Sequence, residues 1–250
     1  MLSGLSGKLA LVAGAGSGIG KTVALKLAAH NCKVGLFDLN EEGLEKTKSE
    51  ICSTGGLCAS FVGDISKREH VQCAVDNASS HFDTTPTIGI NCAGITRDAM
   101  LLKMTDEQWD SIMSCHLTGT FLFTQIMARQ MVKAKAHGSI VNTGSISGKI
   151  GNAGQANYSA AKAGIIAFSK TTARELGPKG IRCNTIVPGF ISTPMADAIP
   201  PHIKQMVLMM TPMGRFGETA EIADLYCFLA SENSTFITGV DIEVAGGLAM

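Results

Sequence analysis

Residues 9–20 read LALVAGAGSGIG: five apolar residues, a glycine-rich turn, and the start of a helix. A continuous apolar run suits a strand buried on both faces of a parallel sheet. Behind the turn Ile19, Val23 and Leu27 recur at i, i+4 and i+8, the spacing of one helical face. Gly14, Gly18 and Gly20 fall where a tight turn lets the backbone come close to a ligand, with Ser17 and Ile19 between them. The helix that follows presents free N–H groups to an anion. A glycine triplet alone is only a turn; strand, triplet and amphipathic helix together describe a dinucleotide-binding unit.

The same alternation runs the length of the chain. Short β-rich runs at 9–13, 33–37, 58–62, 87–91, 139–143, 183–187 and 240–244, most of them apolar, predict seven strands separated by helical patterns. Thr105 and Gln108 make a capping box ahead of Trp109, and Thr219 opens the helix towards Leu229. Repeated β-α-β units with right-handed crossovers build an α/β, doubly wound Rossmann-type sheet of seven parallel strands with helices on both faces. No linker or change of composition divides residues 1–250, so they read as one domain. Residues 188–217 carry Pro188, Pro194, Pro200, Pro201 and Pro212, and read as a loop with short helices that covers the substrate.

An acid some twenty residues beyond the glycines completes the unit. It is Asp38, at the end of the second strand. Its carboxylate accepts from both adenosine ribose hydroxyls and repels a 2′-phosphate. No arginine stands beside it to offset that repulsion: Ala15 and Ser17 lie in the glycine turn, and Leu39 and Asn40 follow. The cofactor expected is therefore NAD(H). Two further strand ends continue the site, with Asp64 and Ile65 beside an adenine and Asn91, Ala93 and Gly94 beneath the nicotinamide half.

Ser145, Tyr158 and Lys162 supply the chemistry. Tyr158 and Lys162 are i and i+4 on a helix and share a face, and Ser145 precedes the tyrosine by thirteen residues. A neighbouring cation favours a phenolate, so Lys162 is expected to lower the Tyr158 pKa towards neutrality and make it an acid/base.

Composition excludes other classes. With 21 basic and 21 acidic residues the formal charge is zero, and 5% aromatics leave little for base stacking, so no nucleic-acid partner is expected. No apolar run approaches the roughly 20 residues of a membrane span. The opening MLSGLSGK has neither a signal-peptide core nor an arginine-rich presequence. The eight cysteines are scattered without ligand spacing, which argues for a reducing compartment and no metal site.

These motifs make the chain similar, over essentially its whole length, to the short-chain dehydrogenase/reductase family. The glycine turn, NCAG at 91–94, the Ser-Tyr-Lys trio, PGFISTP at 188–194 and ITGVDIEVAGG near the end carry the resemblance. CAGITRDAMLLKMTDEQWD, GKIGNAGQANY and ARELGPKGIRCN resemble its estradiol 17β-dehydrogenase type 8 branch, allied to the 3-oxoacyl-[acyl-carrier-protein] reductases.

The resemblance implies that Tyr158 donates the proton in reduction and accepts it in oxidation. Lys162 binds the nicotinamide ribose, Ser145 and Tyr158 hold the substrate oxygen, and Ile191 and Thr193 contact the carboxamide. One position departs. Where many members carry an asparagine that holds a water near the lysine, this chain has His116.

The activity implied is NAD-dependent interconversion of (3R)-hydroxyacyl and 3-oxoacyl thioesters of acyl-carrier protein or CoA, with 17β-hydroxysteroids such as estradiol as further substrates. The alternatives are a low-activity NAD-binding scaffold subunit of a reductase complex, or a dehydrogenase of another small alcohol. Met195, Met206, Met209, Met210 and Met213 suit a flexible apolar ligand. A homotetramer, or a heterotetramer with a related reductase chain, is expected through the helices at 106–133 and 155–176. The resemblance also implies that Lys135 and Lys179 dock an acidic carrier protein beside the site entrance. It implies the mitochondrial matrix as compartment, with the cytoplasm as alternative.

Overall fold

In the computed structural model, which describes residues 2–197 and 199–248, seven strands pair in parallel in the order β3-β2-β1-β4-β5-β6-β7. They are β1 (Leu9–Ala13), β2 (Lys33–Asp38), β3 (Leu57–Val62), β4 (Pro86–Asn91), β5 (Gly138–Thr143), β6 (Ile181–Pro188) and β7 (Asp241–Val244). Every strand expected from the apolar runs is present. The order reverses between β1 and β4, and a crevice opens beyond the carboxyl ends of strands at such a switch point.

Among the described residues ten helices accompany the sheet: α1 (Gly18–Ala29), α2 (Glu41–Ser53), α3 (Arg68–Phe82), α4 (Asp106–Ile112), α5 (Gly119–Lys133), α6 (Ser147–Ile150), α7 (Ala156–Leu176), α8 (Pro194–Asp197), α9 (Pro201–Met210) and α10 (Thr219–Ala230). Alternate residues of β1 supply both cores. Ala10 and Val12 meet Val23 and Leu27 of α1, Leu44 and Ile51 of α2, and Ile222 of α10. Leu9 and Leu11 belong with Val71 of α3 and with Phe123 and Met127 of α5. Each fully buried leucine, isoleucine or phenylalanine contributes about 1.5–3 kcal/mol relative to exposure, so two such cores hold the strand ends firmly. The site inherits that rigidity.

Two local expectations are corrected. The helix beginning at the Thr105–Gln108 capping box, which is present, does not run evenly to Lys133: Met113–Thr118 widens into a π-helical turn between α4 and α5. The cap of α10 is Glu218 rather than Thr219, because Glu218 and Glu221 form the reciprocal box. Residues 188–217 do form a loop with the short helices α8 and α9.

Candidate active site

The glycine turn leaves the carboxyl end of β1 and closes at once on itself. A Cβ on Gly20 would lie 2.1 Å from the carbonyl oxygen of Gly14, so only glycine fits there. Ser17 stands at the N-cap of α1 without bonding a helix N–H, and the first turn, with Gly18 and Ile19, holds no acid. Those N–H groups therefore face the crevice with the positive end of the helix dipole. Thr47 of α2 braces the turn by donating to the Ala15 carbonyl at 2.9 Å.

Asp38 sits at the lip of β2. One carboxylate oxygen accepts from the Gly16 N–H and the other from the Asn40 N–H, both at 2.9 Å. Each oxygen keeps a lone pair for a ribose hydroxyl. Among the described residues no lysine or arginine forms an ion pair with it. Leu39 beside it is exposed. At the next strand end the Asp64 carboxylate is turned towards the Ser66 N–H and hydroxyl at 2.8 and 2.7 Å. The Ile65 side chain is packed into the core, which leaves its backbone to face the crevice.

At the end of β4, the Asn91 side chain accepts from the Ala93 N–H at 3.1 Å and donates to Thr120 at 2.9 Å, fixing the turn through Ala93 and Gly94. Ile191 is buried and bridges to Gly217, while Thr193 approaches within van der Waals reach of the Gly18 position. The glycine turn, Asp38, Asp64 with Ile65, and Asn91 to Gly94 thus all stand at the carboxyl ends of strands, with Thr193 close to Gly18. The free helix terminus, the close glycine approach and the paired lone pairs of Asp38 fit a dinucleotide without a 2′-phosphate.

Ser145 follows β5, and Tyr158 and Lys162 share one face at the start of α7. Lys162 is almost fully buried, and its ammonium donates to the Thr143 carbonyl at 2.8 Å while lying 5.5 Å from the centre of the Tyr158 ring. Burial pushes its pKa down to about 8. The Tyr158 phenol does not behave as expected. Burial pushes it up to about 12; a hydrogen bond to Ser145 opposes that rise and the charge of Asp98 adds to it. The Lys162 ammonium, bonded to the Thr143 carbonyl and 5.5 Å from the ring centre, does not offset that rise.

His116 stands edge-on to Tyr158, with ring centroids 5.1 Å apart and planes at 81°. Its Nε2 lies against both the N–H (3.1 Å) and the carbonyl (2.8 Å) of Ile95, while Nδ1 is buried without a partner. Desolvation, then the charge of Lys162, hold its pKa down at about 3, so the ring is neutral.

Several participants were not foreseen. Gly16 and Asn40 orient Asp38, Thr143 receives Lys162, and Ile95 receives His116; all four act through backbone groups that side-chain patterns do not display. The wall around Tyr158 is tied by Gln155 donating to Asp98 at 2.9 Å and Asn157 donating to the Arg97 carbonyl at 3.0 Å. The five methionines of residues 195–213 are all exposed rather than core. Lys135 and Lys179 do come into one neighbourhood, where the Gly138 N–H donates to the Gly180 carbonyl at 3.2 Å. That neighbourhood is at the amino ends of β5 and β6. Lys179 follows the far end of α7, a 21-residue helix spanning about 30 Å at 1.5 Å per residue. The lysines are therefore not beside this chain's own entrance, because α7 runs antiparallel to the strands.

Residues 14–249 match the family model described as enoyl-(acyl carrier protein) reductase. The chain is 44% identical to the (3R)-3-hydroxyacyl-CoA dehydrogenase of Mus musculus, over 98% of each chain. It is 39% identical to the 3-oxoacyl-[acyl-carrier-protein] reductase of Thermotoga maritima, over 98% of this chain and 99% of that one. A solved 3-oxoacyl-[acyl-carrier protein] reductase of Brucella melitensis with bound NAD superposes with a TM-score of 0.90 at 33% identity, covering 98% of this chain and 92% of the other.

Proposed function

This chain belongs to the short-chain dehydrogenase/reductase family, and from that premise we propose that it interconverts (3R)-3-hydroxyacyl and 3-oxoacyl thioesters with NAD(H). The observation that carries the reading is Ser145, Tyr158 and Lys162 gathered together, with a glycine turn whose acid, Asp38, accepts from the backbone N–H groups of Gly16 and Asn40. The thioester substrate class rests on full-length likeness to the mouse and Thermotoga enzymes.

The nicotinamide, when bound, supplies or accepts the hydride. The helix terminus at Ser17 to Ile19 takes the pyrophosphate, Asp38 the adenosine ribose, and the backbone of residues 64–65 the adenine. Asn91 to Gly94, Ile191 and Thr193 take the nicotinamide end. Lys162 spends one N–H on Thr143 and keeps two for the nicotinamide ribose. Ser145 accepts from the Ser147 N–H at 3.2 Å and its hydroxyl lies beside that of Tyr158, so a substrate oxygen bound between them would take over its proton. Tyr158, held protonated by burial, donates to that oxygen in reduction.

Purified chain is given acetoacetyl-CoA, an acyl-carrier thioester and estradiol/estrone in turn, with NADH, NADPH or the oxidised forms. Turnover of the thioesters with NADH supports the reading; NADH binding without turnover of any substrate supports a scaffold subunit, the second reading, which His116 favours. 17β-Hydroxysteroids are proposed as further substrates of the same site. A carrier-protein contact at Lys135 and Lys179 is proposed on resemblance alone. A tetramer is proposed through α5 and α7, where Ala160, Ala163 and Ala167 lie exposed beside Phe121, which meets Phe168 with ring centroids 6.2 Å apart. The mitochondrial matrix is proposed as compartment on resemblance alone, and fractionation of cells expressing the full protein tests it.

A further inference from the structure

Behind the site runs a buried polar chain that the proposed chemistry does not use. Tyr226 of α10 is wholly enclosed in the core against the sheet. A buried phenol needs a hydrogen-bond partner, and this one finds the Thr143 hydroxyl at the end of β5. The same hydroxyl donates to the Asn91 carbonyl at 2.5 Å. A carbonyl only accepts, so the single Thr143 proton is committed to Asn91 and Tyr226 must be the donor to Thr143. The order of the chain is thus fixed: Tyr226 to Thr143 to Asn91.

Its location gives it a consequence. Backbone pairing between β4 and β5 ends at Asn91 and Asn142. The Thr143 hydroxyl carries the connection one residue further, to the residue whose carbonyl receives Lys162 at 2.8 Å. Among the described residues no carboxylate pairs with that ammonium. The titratable groups facing it are Cys92 after β4, Cys115 and His116 from the π-helical turn, and Tyr158 one turn earlier on α7. Burial keeps both thiols protonated and the imidazole neutral, so none supplies a counter-charge.

We propose that Tyr226 is a positioning residue for Lys162, acting by clamping Thr143 so that its carbonyl stays where the lysine ammonium needs it. Held from two sides through its hydroxyl, Thr143 cannot turn its peptide away from the ammonium. A phenylalanine at 226 would fill the same space and leave the Thr143 oxygen without its donor. The inference rests on the reading that Lys162 serves the cofactor and Tyr158.

The test compares wild type with Tyr226→Phe, Thr143→Val and Thr143→Ser, measuring NADH affinity by fluorescence, KM for acetoacetyl-CoA, kcat from about pH 6 to about 10, and Tm. Tyr226→Phe should weaken NADH binding about three- to tenfold, the size of one net hydrogen bond, with KM for the thioester unmoved. The alkaline limb of kcat in reduction should move to lower pH, because a loosened carbonyl stabilises the ammonium less. Thr143→Val should behave alike, Thr143→Ser should keep wild-type values, and Tyr226→Phe combined with Thr143→Val should be no worse than either single change. Should Tyr226→Phe fail to fold, the two Thr143 variants decide the matter. Unchanged NADH affinity and an unmoved limb, whatever happens to Tm, overturn the proposal, as do additive losses. If wild type binds NADH but reduces no thioester, the reading of the reaction fails, while the affinity comparison still decides the role of Tyr226.

Discussion

A Cβ on Gly94 would lie 2.6 Å from Cε1 of His116, so the glycine is what admits the imidazole beside Tyr158. Gly94 is not free to change alone. The ring is pinned from the other side by Ile95 through Nε2. Gly94→Ala must therefore displace it or bend the loop, and overpacking of that kind costs about 1–3 kcal/mol. The smaller amide of His116→Asn relieves the contact. Urea unfolding should show Gly94→Ala destabilised and Gly94→Ala/His116→Asn largely recovered. Equal losses in both variants would show that the contact with His116 is not the cause.

His116 also gives the fold an acid sensitivity whose sign is fixed. Its folded pKa of about 3 lies below the ordinary histidine value of about 6.5. Between those values the unfolded chain takes up the proton and the folded chain does not. Stability should therefore fall as pH falls through the window, by up to about 1.4 kcal/mol per pH unit for this one group. His116→Asn carries no such proton, so its stability should decline less steeply from neutrality towards about pH 4. Parallel acid limbs for the two proteins would contradict a neutral buried ring.

Asp38→Ala removes the carboxylate that Gly16 and Asn40 orient. The preference for NADH over NADPH should shrink, because the charge that repels a 2′-phosphate is gone and the acceptor for the ribose hydroxyls goes with it. Competition titrations of the two cofactors read both effects. An undiminished preference would place the discrimination elsewhere.

The exposed stripe of α7 makes a test of assembly. Phe121 and Ala163 both face outward on the α5–α7 surface. A charge on a small-residue contact face opposes close approach, so Ala163→Glu should lower the mass found by light scattering at micromolar concentration while leaving the far-ultraviolet circular dichroism unchanged. A wild-type monomer would remove the tetramer proposal outright.

The seven strands were legible because a strand covered on both faces is mostly apolar, as 9–13 is throughout. The chemistry at Ser145, Tyr158 and Lys162 was legible because helical spacing converts directly into a shared face. What stayed hidden depends on backbone groups or on global direction. The π-helical turn around His116 adds no residue type of its own, and the Thr143 carbonyl is common to every residue. Tyr226 resembled one more apolar residue of α10 until its hydroxyl met Thr143. The Lys135–Lys179 pair was foreseen as neighbours, yet its distance from Tyr158 follows only from the direction in which α7 runs. The Tyr158 pKa went the other way because spacing reveals a nearby cation and says nothing of desolvation.

That last correction shapes the closing prediction, on proton transfer itself. A phenol held at about 12 keeps its proton through neutral pH, which suits the donor in reduction and penalises the base in oxidation. Reduction of acetoacetyl-CoA should therefore be nearly independent of pH until Lys162, at about 8, starts to lose its charge, and fall beyond that. Oxidation of the hydroxyacyl partner should rise with pH over the range in which reduction is flat. Tyr158→Phe deletes only the transferring oxygen. NADH affinity should stay within a few-fold of wild type, while kcat falls by about 10²–10⁴, the usual contribution of a general acid or base. A loss under about tenfold would reassign the proton to another group, with the Ser145 hydroxyl the nearest candidate.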